Sequence, residues 1–282
     1  MRTRIILGSI MIACLAGLFA LDHSLGSYNA VSAVIVILGI GAWFELARMG
    51  GVRVPERGGS LLLFLVGLAG SCYFLAAPWM EEALVPGGAW VVPAGVLGLL
   101  LASFASIVFR ADYERGFTPL LFTVTSVLLF GLLYSYLLRI YRTQDGFLRG
   151  LVFILGVKGN DIAAYLVGRA IGKHRFLPVS PKKTLEGCLA AVVFSLVWFP
   201  LAAWIWPEKF FPWPLAIPLA IILSLATQVG DLSESLLKRC YQVKDSSSLI
   251  PEFGGILDLM DSVLFSGFLF WLVGAALQVS WR

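Results

Sequence analysis

Residues Trp213 to Ser262 read W-P-L-A-I-P-L-A-I-I-L-S-L-A-T-Q-V-G-D-L-S-E-S-L-L-K-R-C-Y-Q-V-K-D-S-S-S-L-I-P-E-F-G-G-I-L-D-L-M-D-S, and the change of character along them decides the fold. No charged side chain precedes Asp231 in this stretch. The apolar part is therefore long enough to approach a bilayer crossing, which takes about 20 helical residues. Charge then crowds in, and the chain returns to an apolar run whose start carries Asp258 and Asp261. Inside lipid a backbone can satisfy its own N–H and C=O groups only in helices or closed barrels, so long apolar runs read as helices.

The same signature recurs along the whole chain. Of its 282 residues 59% are hydrophobic and only 13% are charged, against roughly a quarter charged in soluble domains. The mean hydropathy of +0.88 excludes an ordinary water-soluble fold. The expected class is an all-α polytopic integral membrane protein with nine spans, at about 5–21, 28–47, 60–78, 89–109, 118–138, 147–168, 187–206, 213–236 and 257–279. The first span lacks a small-x-small cleavage site before Asp22 and reads as a span rather than a leader. Cys14, Cys72, Cys188 and Cys240 are scattered without ligand spacing, which implies neither disulfide nor zinc.

Arginine and lysine set the expected orientation. Arg2 and Arg4 place the N-terminus in the cytoplasm, and loops 48–57, 110–117, 169–186 and 237–256 follow it there. The opposite loops are poorer in cations, with Asp22, Glu81, Glu82, and Glu208 beside Lys209. Loop 139–149 dissents, because it carries Arg139, Arg142 and Arg149 yet falls outside in this count. Two regions are expected: a helical scaffold over 1–150, and a catalytic membrane region over 151–282. Glu45, near the end of the second span, reads as interfacial rather than catalytic.

Asp231, Glu234, Ser235 and Lys238 fall at i, i+3, i+4 and i+7, along one helix face. Asp258, Asp261 and Ser262 repeat that spacing at the start of the next helix. Between them lie Lys238, Arg239, Lys244, Asp245 and Ser246 to Ser248, then Pro251 and the Gly254–Gly255 pair, which permits a tight turn. Carboxylate pairs suit a hard divalent cation, and basic side chains suit phosphate oxygens. Upstream, Lys158, Asn160 and Asp161 lie within a span, where polar and ionisable groups are costly and mark function by default. Loop 169–186 carries Arg169, Lys173, Arg175, Lys182 and Lys183 against Glu186 alone. Read by itself, that loop is an ordinary basic loop facing anionic head groups. The segment 168–174, G-R-A-I-G-K-H, is one residue short of a P-loop and has His174 where a metal-binding hydroxyl is needed.

The stretch from Ser235 to Asp261 resembles the signature of the phosphatidate cytidylyltransferases (CDP-diacylglycerol synthases). Ser235, Lys238, Arg239, Lys244, Asp245, Pro251, Gly254, Gly255, Asp258 and Asp261 match it in register, while Phe253 replaces the family's usual histidine and Glu252 a common glycine. N-D-I-A-A-Y-L-V-G-R from Asn160 resembles a second family segment through Asp161, and S-P-K-K-T-L-E-G from Ser180 a third. The resemblance covers about residues 155–265. It implies transfer of a cytidylyl group from CTP to phosphatidate, with Mg2+ as cofactor, at a site facing the cytoplasm from the cell or inner membrane. The implied partners are CTP, phosphatidate and the lipid bilayer; a homodimer is an expected assembly, and nucleic acid is not expected. The implied metal ligands are Asp231 and Asp258, one from each helix, with Asp161, Glu234 and Asp261 as further or outer ligands. Lys238 and Lys244 join Asp231 and Asp258 as catalytic residues. Ser180, Lys182, Lys183, Thr184, Arg239, Asp245, Ser246, Gly254 and Gly255 are assigned to substrate. A CTP-dependent lipid kinase, a catalytically altered family member and a transporter are the alternative readings.

Overall fold

With no water in the hydrocarbon to meet backbone groups, the described residues fold mainly into helices. The computed structural model describes residues 13–14, 16–22, 24–49, 59–84, 91–108, 122–243, 245–247, 249 and 254–276. Eight long helices follow: α1 Asn29–Met49, α2 Gly59–Leu84, α3 Val91–Val108, α4 Phe122–Tyr141, α5 Gly146–Ile171, α6 Leu185–Ile205, α7 Trp213–Cys240 and α8 Ile256–Ala276. Among the described residues there is no strand, only an isolated bridge between Arg175 and Thr184. Among the described residues six helices, α1 and α4 to α8, are long and apolar enough to cross a membrane, while α2 and α3 contain the shorter apolar helices Leu65–Met80 and Val91–Ser103. The chain is an all-α polytopic membrane protein, and the nine expected spans are an approximate count. Most of the first expected span, with Arg2 and Arg4, lies outside the described residues, as do Arg53, Arg57, Arg110 and Arg115.

Packing divides the chain into two compact units, residues 1–138 with 245–258, and residues 139–244 with 259–282. The sequence reading breaks the chain at 150; packing divides it at 138/139 and returns the segment 245–258 to the N-terminal unit.

In the first unit α2 packs on α1, α3 and α4. A π-helical stretch, Leu128–Leu133, interrupts α4 where Gly131 lies against α2: a Cβ there would meet the Ser71 Cα at 2.9 Å. Asp22, expected in a solvated loop, is instead buried and caps α1. Its carboxylate accepts from the backbone N–H of Ala30 at 2.9 Å and of Val31 at 3.0 Å. These amides belong to the first turn of the helix, which has no intrahelical partner for them.

In the second unit α6 packs on both α5 and α7. Asn160 sits at their junction, buried, with its side-chain NH2 within reach of the Ala191 carbonyl (3.1 Å) and the hydroxyls of Ser195 (2.8 Å) and Ser224 (2.6 Å). One amide on α5 thus ties three helices together. Phe270 gathers Phe153, Phe199 and Phe211 around it, with ring centroids 5.1 to 6.4 Å away. Arg149 is fully buried and donates to the Lys209 carbonyl (2.9 Å) and the Thr143 hydroxyl (3.2 Å). Arg139 lies over the Trp271 ring at 5.6 Å. Two of the three arginines that made loop 139–149 dissent are therefore engaged in packing, which removes them from a count of free loop charge.

Replacing Asn160 by Ala removes the shared donor while leaving three acceptors behind. Interhelical hydrogen bonds in membranes contribute about 0.6 kcal/mol on average and up to about 1.7. The variant is expected to lose about 1 kcal/mol, read as a lower melting temperature of the detergent-purified protein. An unchanged melting temperature would show that the three helices do not depend on this side chain.

Candidate active site

Gly230 and Gly187 decide where the second unit brings its charges together. A Cβ on Gly230 would meet the Asp261 carbonyl oxygen at 2.5 Å, so α7 and the part of α8 beyond Asp258 approach backbone to backbone there. The next residue on α7 is Asp231, and the close approach sets it beside Asp261. Carboxylate oxygens of Asp231, Glu234 and Asp261 lie within 4.8 Å of one another. At the start of α6, Gly187 packs against the C-terminal part of α5, where a Cβ would meet the Ala164 carbonyl at 2.6 Å. Thr184 caps α6 by accepting from the Gly187 N–H at 3.3 Å. That cap fixes the end of the basic loop and aims Lys183 inward.

Three lysines meet these acids. Lys183 pairs with Asp231. Lys238 reaches back one turn along α7 to Glu234 at 2.6 Å. Lys158 donates to the Leu259 carbonyl (2.9 Å) and the Ser262 hydroxyl (2.8 Å), and lies 3.7 Å from Asp161. Glu234 and Asp261 are buried, whereas Asp231 and Asp161 are half-exposed. Four carboxylates against three ammonium groups leave a site near neutrality with one acid in excess. Removing one partner of such a pair would leave an uncompensated charge out of water, which costs several kcal/mol.

The oxygens of Asp231, Glu234 and Asp261 form the donor set a hard divalent cation takes. Opposite ligands of one Mg2+ stand about 4.2 Å apart, given metal–oxygen bonds of about 2.1 Å. A 4.8 Å cluster is slightly wider than that, close enough for small side-chain rotations or an intervening water to complete the set. The donor chemistry fits.

Other residues singled out from the sequence have different surroundings. Lys182 and Arg239 are exposed. The Ser180 carbonyl accepts from the Lys183 N–H at 3.0 Å and closes the turn before α6. His174 engages Glu186, with its ring nitrogen 2.6 Å from the carboxylate, and is occupied in the loop rather than in the acidic cluster. Lys244, Ser248, Pro251, Glu252 and Phe253 lie outside the described residues.

The first unit holds its own constellation, built on the turn before α8. The family resemblance implies Asp258 as a principal metal ligand; in the structure its Oδ2 accepts from the Ser246 N–H (2.9 Å), the Ser246 hydroxyl (2.7 Å) and the Gly255 N–H (2.9 Å). Gly254 takes φ +92°, a conformation that side chains disfavour. A Cβ there would also meet the Asp258 carboxylate at 2.7 Å. Glu45 on α1, expected at an interface, is buried and accepts from four donors of this turn. They are the Ser247 hydroxyl (2.6 Å), the Ser246 hydroxyl (3.0 Å), and the N–H groups of Ile256 (3.0 Å) and Leu257 (2.9 Å). Of the Gly254–Gly255 pair assigned to substrate, the Gly255 amide is thus met by the protein's own Asp258 carboxylate. The sequence reading places Glu45 at an interface rather than at this turn because its partners lie some two hundred positions away. Its only signal was a carboxylate inside an apolar helix.

Comparison with known proteins adds a family to this geometry. Residues 2–277 match the model of the cytidylyltransferase family. A phosphatidate cytidylyltransferase of Staphylococcus saprophyticus is 36% identical over 204 residues, 68% of this chain and 77% of the relative. One of Bacillus subtilis is 33% identical over 246 residues, 82% of this chain and 84% of the relative. One of Synechocystis is 29% identical over 270 residues, 85% of each chain.

The close approach at Gly230 is testable without any substrate. Gly230→Ala places a methyl against the backbone of Asp261, and overpacking of this kind costs about 1–3 kcal/mol. The detergent-purified variant is expected to melt several degrees lower than the parent. Equal melting would mean that α7 and α8 stand further apart than described.

Proposed function

We propose that this chain, which belongs to the cytidylyltransferase family, transfers a cytidylyl group from CTP to phosphatidate, giving CDP-diacylglycerol and pyrophosphate. The observation that carries the reading is the gathering of Asp231, Glu234 and Asp261 with Lys183 and Lys238 in a membrane protein. Both substrates are polyanions, so a site for them needs cations to offset their charge. The acids would hold Mg2+, which when bound supplies the positive charge that stabilises the phosphates of CTP.

The chain's own residues carry the remaining work. Phosphoryl chemistry of this kind asks mainly for positioning and charge stabilisation. A phosphatidate oxygen forms the new bond to the α-phosphorus of CTP, and the bond from that phosphorus to the oxygen bridging to the β-phosphate breaks. Pyrophosphate departs with the electron pair. The attacking group is a phosphate monoester with a second pKa near 6, so it is largely ionised at neutral pH and needs no general base. A phenylalanine at 253 is compatible with that requirement. Lys182, Lys183, Lys238, Lys244 and Arg239 would hold the triphosphate and the lipid phosphate as charge-assisted donors. Asp245 and the turn closed by Asp258 are assigned to substrate binding. The excess of Lys and Arg in loop 169–186 supports a site facing the cytoplasm, where soluble CTP meets a head group whose acyl chains stay in the bilayer.

The test is conversion of phosphatidate by purified protein with labelled CTP and Mg2+ in detergent. A labelled cytidine lipid with stoichiometric pyrophosphate is expected, and chelation of the metal should abolish it. Release of CDP with a newly phosphorylated lipid alcohol would replace the reading with a CTP-dependent lipid kinase. Asp231→Ala is expected to lower turnover at least about 100-fold, and undiminished turnover would sink the metal assignment. Phe253→His should change turnover by no more than about tenfold, since the nucleophile is already ionised.

A further inference from the structure

The first unit contains a carboxylate that neither the substrates nor the metal of the proposed reaction calls upon. Glu45 lies one turn from the C-terminal end of α1 (Asn29–Met49) and is only 8% exposed. A buried ionised carboxylate is tolerated only when its lone pairs are met by donors. Here the donors are two hydroxyls and two amides, and all four belong to the segment 246–257. Oε1 accepts from the Ser247 hydroxyl and the Ile256 N–H, and Oε2 from the Ser246 hydroxyl and the Leu257 N–H.

Two features make this more than a surface cap. The Ile256 and Leu257 amides are the first of α8, so Glu45 caps that helix from another helix and places negative charge at the positive end of its dipole. Ser246 is held by two acids at once: its hydroxyl is 3.0 Å from Glu45 Oε2 and 2.7 Å from Asp258 Oδ2. One hydroxyl has one proton, so it donates to one carboxylate at a time. Two like charges converging on one serine repel each other. Four backbone N–H groups, of Ser246, Gly255, Ile256 and Leu257, offset that repulsion. Gly255 is the residue that allows it, because a Cβ at that position would collide with both the Ser246 hydroxyl and the Glu45 carboxylate.

We infer that Glu45 is a positioning residue for the reaction: it holds the turn that carries Ser246, Gly255 and Asp258 and so fixes the Asp258 carboxylate within it. Resting on the function proposed above, this inference assigns part of the catalytic apparatus to the N-terminal region. Glu45 itself touches no substrate. The Gly255, Ile256 and Leu257 amides are already bonded to Asp258 and Glu45, which leaves the side chains of the turn to face substrate.

Two readouts on the intact, detergent-purified protein test it, one of them independent of activity. Hydrogen exchange of peptides covering 245–258 reports the turn, and CTP- and Mg2+-dependent turnover reports the consequence. Glu45→Ala is expected to speed exchange of the 246 and 255–257 amides at least about tenfold, while exchange in α5 to α7 stays unchanged. It should lower kcat by about 10- to 100-fold and leave the KM for CTP within about threefold. Glu45→Gln keeps the size but turns one acceptor into a donor facing N–H groups, and should behave like Ala. Glu45→Asp keeps the charge and should recover part of both losses. Trp198→Phe, which removes the indole N–H bond to the Val152 carbonyl (2.9 Å), serves as the comparison for a merely structural effect: it should lower the melting temperature without touching the turn and leave kcat near the parent value. Unaltered exchange in Glu45→Ala, or fast exchange with unchanged kcat, would overturn the inference. A parent protein inert toward CTP would overturn the proposed function instead, and the exchange data would still decide whether Glu45 holds the turn.

Discussion

A carboxylate removed from water must be met by donors or cations, and the described structure is arranged around that requirement. Burying an isolated ion costs far more than one hydrogen bond returns. The chain meets the demand in two ways. In the first unit, carboxylates are satisfied by backbone amides and hydroxyls: Asp22 at the start of α1, and Glu45 and Asp258 at the start of α8. In the second unit they are paired with ammonium groups: Lys183 at Asp231 and Lys238 at Glu234. The two solutions have different consequences. Acids bonded to amides fix the backbone, whereas acids paired with long flexible side chains can exchange one cation for another.

This difference separates architecture from chemistry in the constellation of acidic residues. A lysine holds its partner through a stem of four methylenes, and its ammonium is a compact point charge that moves at modest cost. An amide N–H at a helix start cannot move without unwinding the turn. Asp231 and Glu234 are therefore suited to a changing set of positive partners. Glu45 is suited to the opposite task, and Asp258 has one oxygen committed to the turn. Glycine makes both arrangements feasible: Gly230 admits the Asp261 backbone, and Gly255 admits the Glu45 carboxylate.

Much of this was legible in the sequence, because local rules govern it. Apolar runs of bilayer length gave the helices, and i, i+3, i+4 spacing placed Asp231 and Glu234 on one face of α7. The sequence names Asp231 and Asp258 as the principal pair, with Glu234 and Asp261 as further ligands; that Asp261 joins Asp231 and Glu234 depends on the backbone approach at Gly230, which spacing does not reveal. Glu45 was not legible. Its partners Ser246, Ser247, Ile256 and Leu257 are remote in sequence, and periodicity carries no information about which distant amides a carboxylate will meet. Arg149 misled for the same reason. Its place in the sequence suggests a loop charge bearing on orientation, yet the side chain is buried against the Lys209 carbonyl and the Thr143 hydroxyl.

The distribution of lysines and arginines sharpens the division of labour among them. Lys183 and Lys238 are already paired with acids, so their charge is largely cancelled at any distance beyond the cluster. Lys173, Arg175, Lys182 and Arg239 are exposed, and the field they project falls off over a Debye length of about 8 Å at physiological ionic strength. An approaching polyanion would respond first to these exposed charges and only at contact to the paired ones. Attraction and fixation thus fall to different side chains of the same basic segments. On the function proposed above, the exposed set would raise the local concentration of phosphate-bearing molecules in a salt-sensitive way, while the paired set, screened less by salt, would act on the phosphate that has arrived.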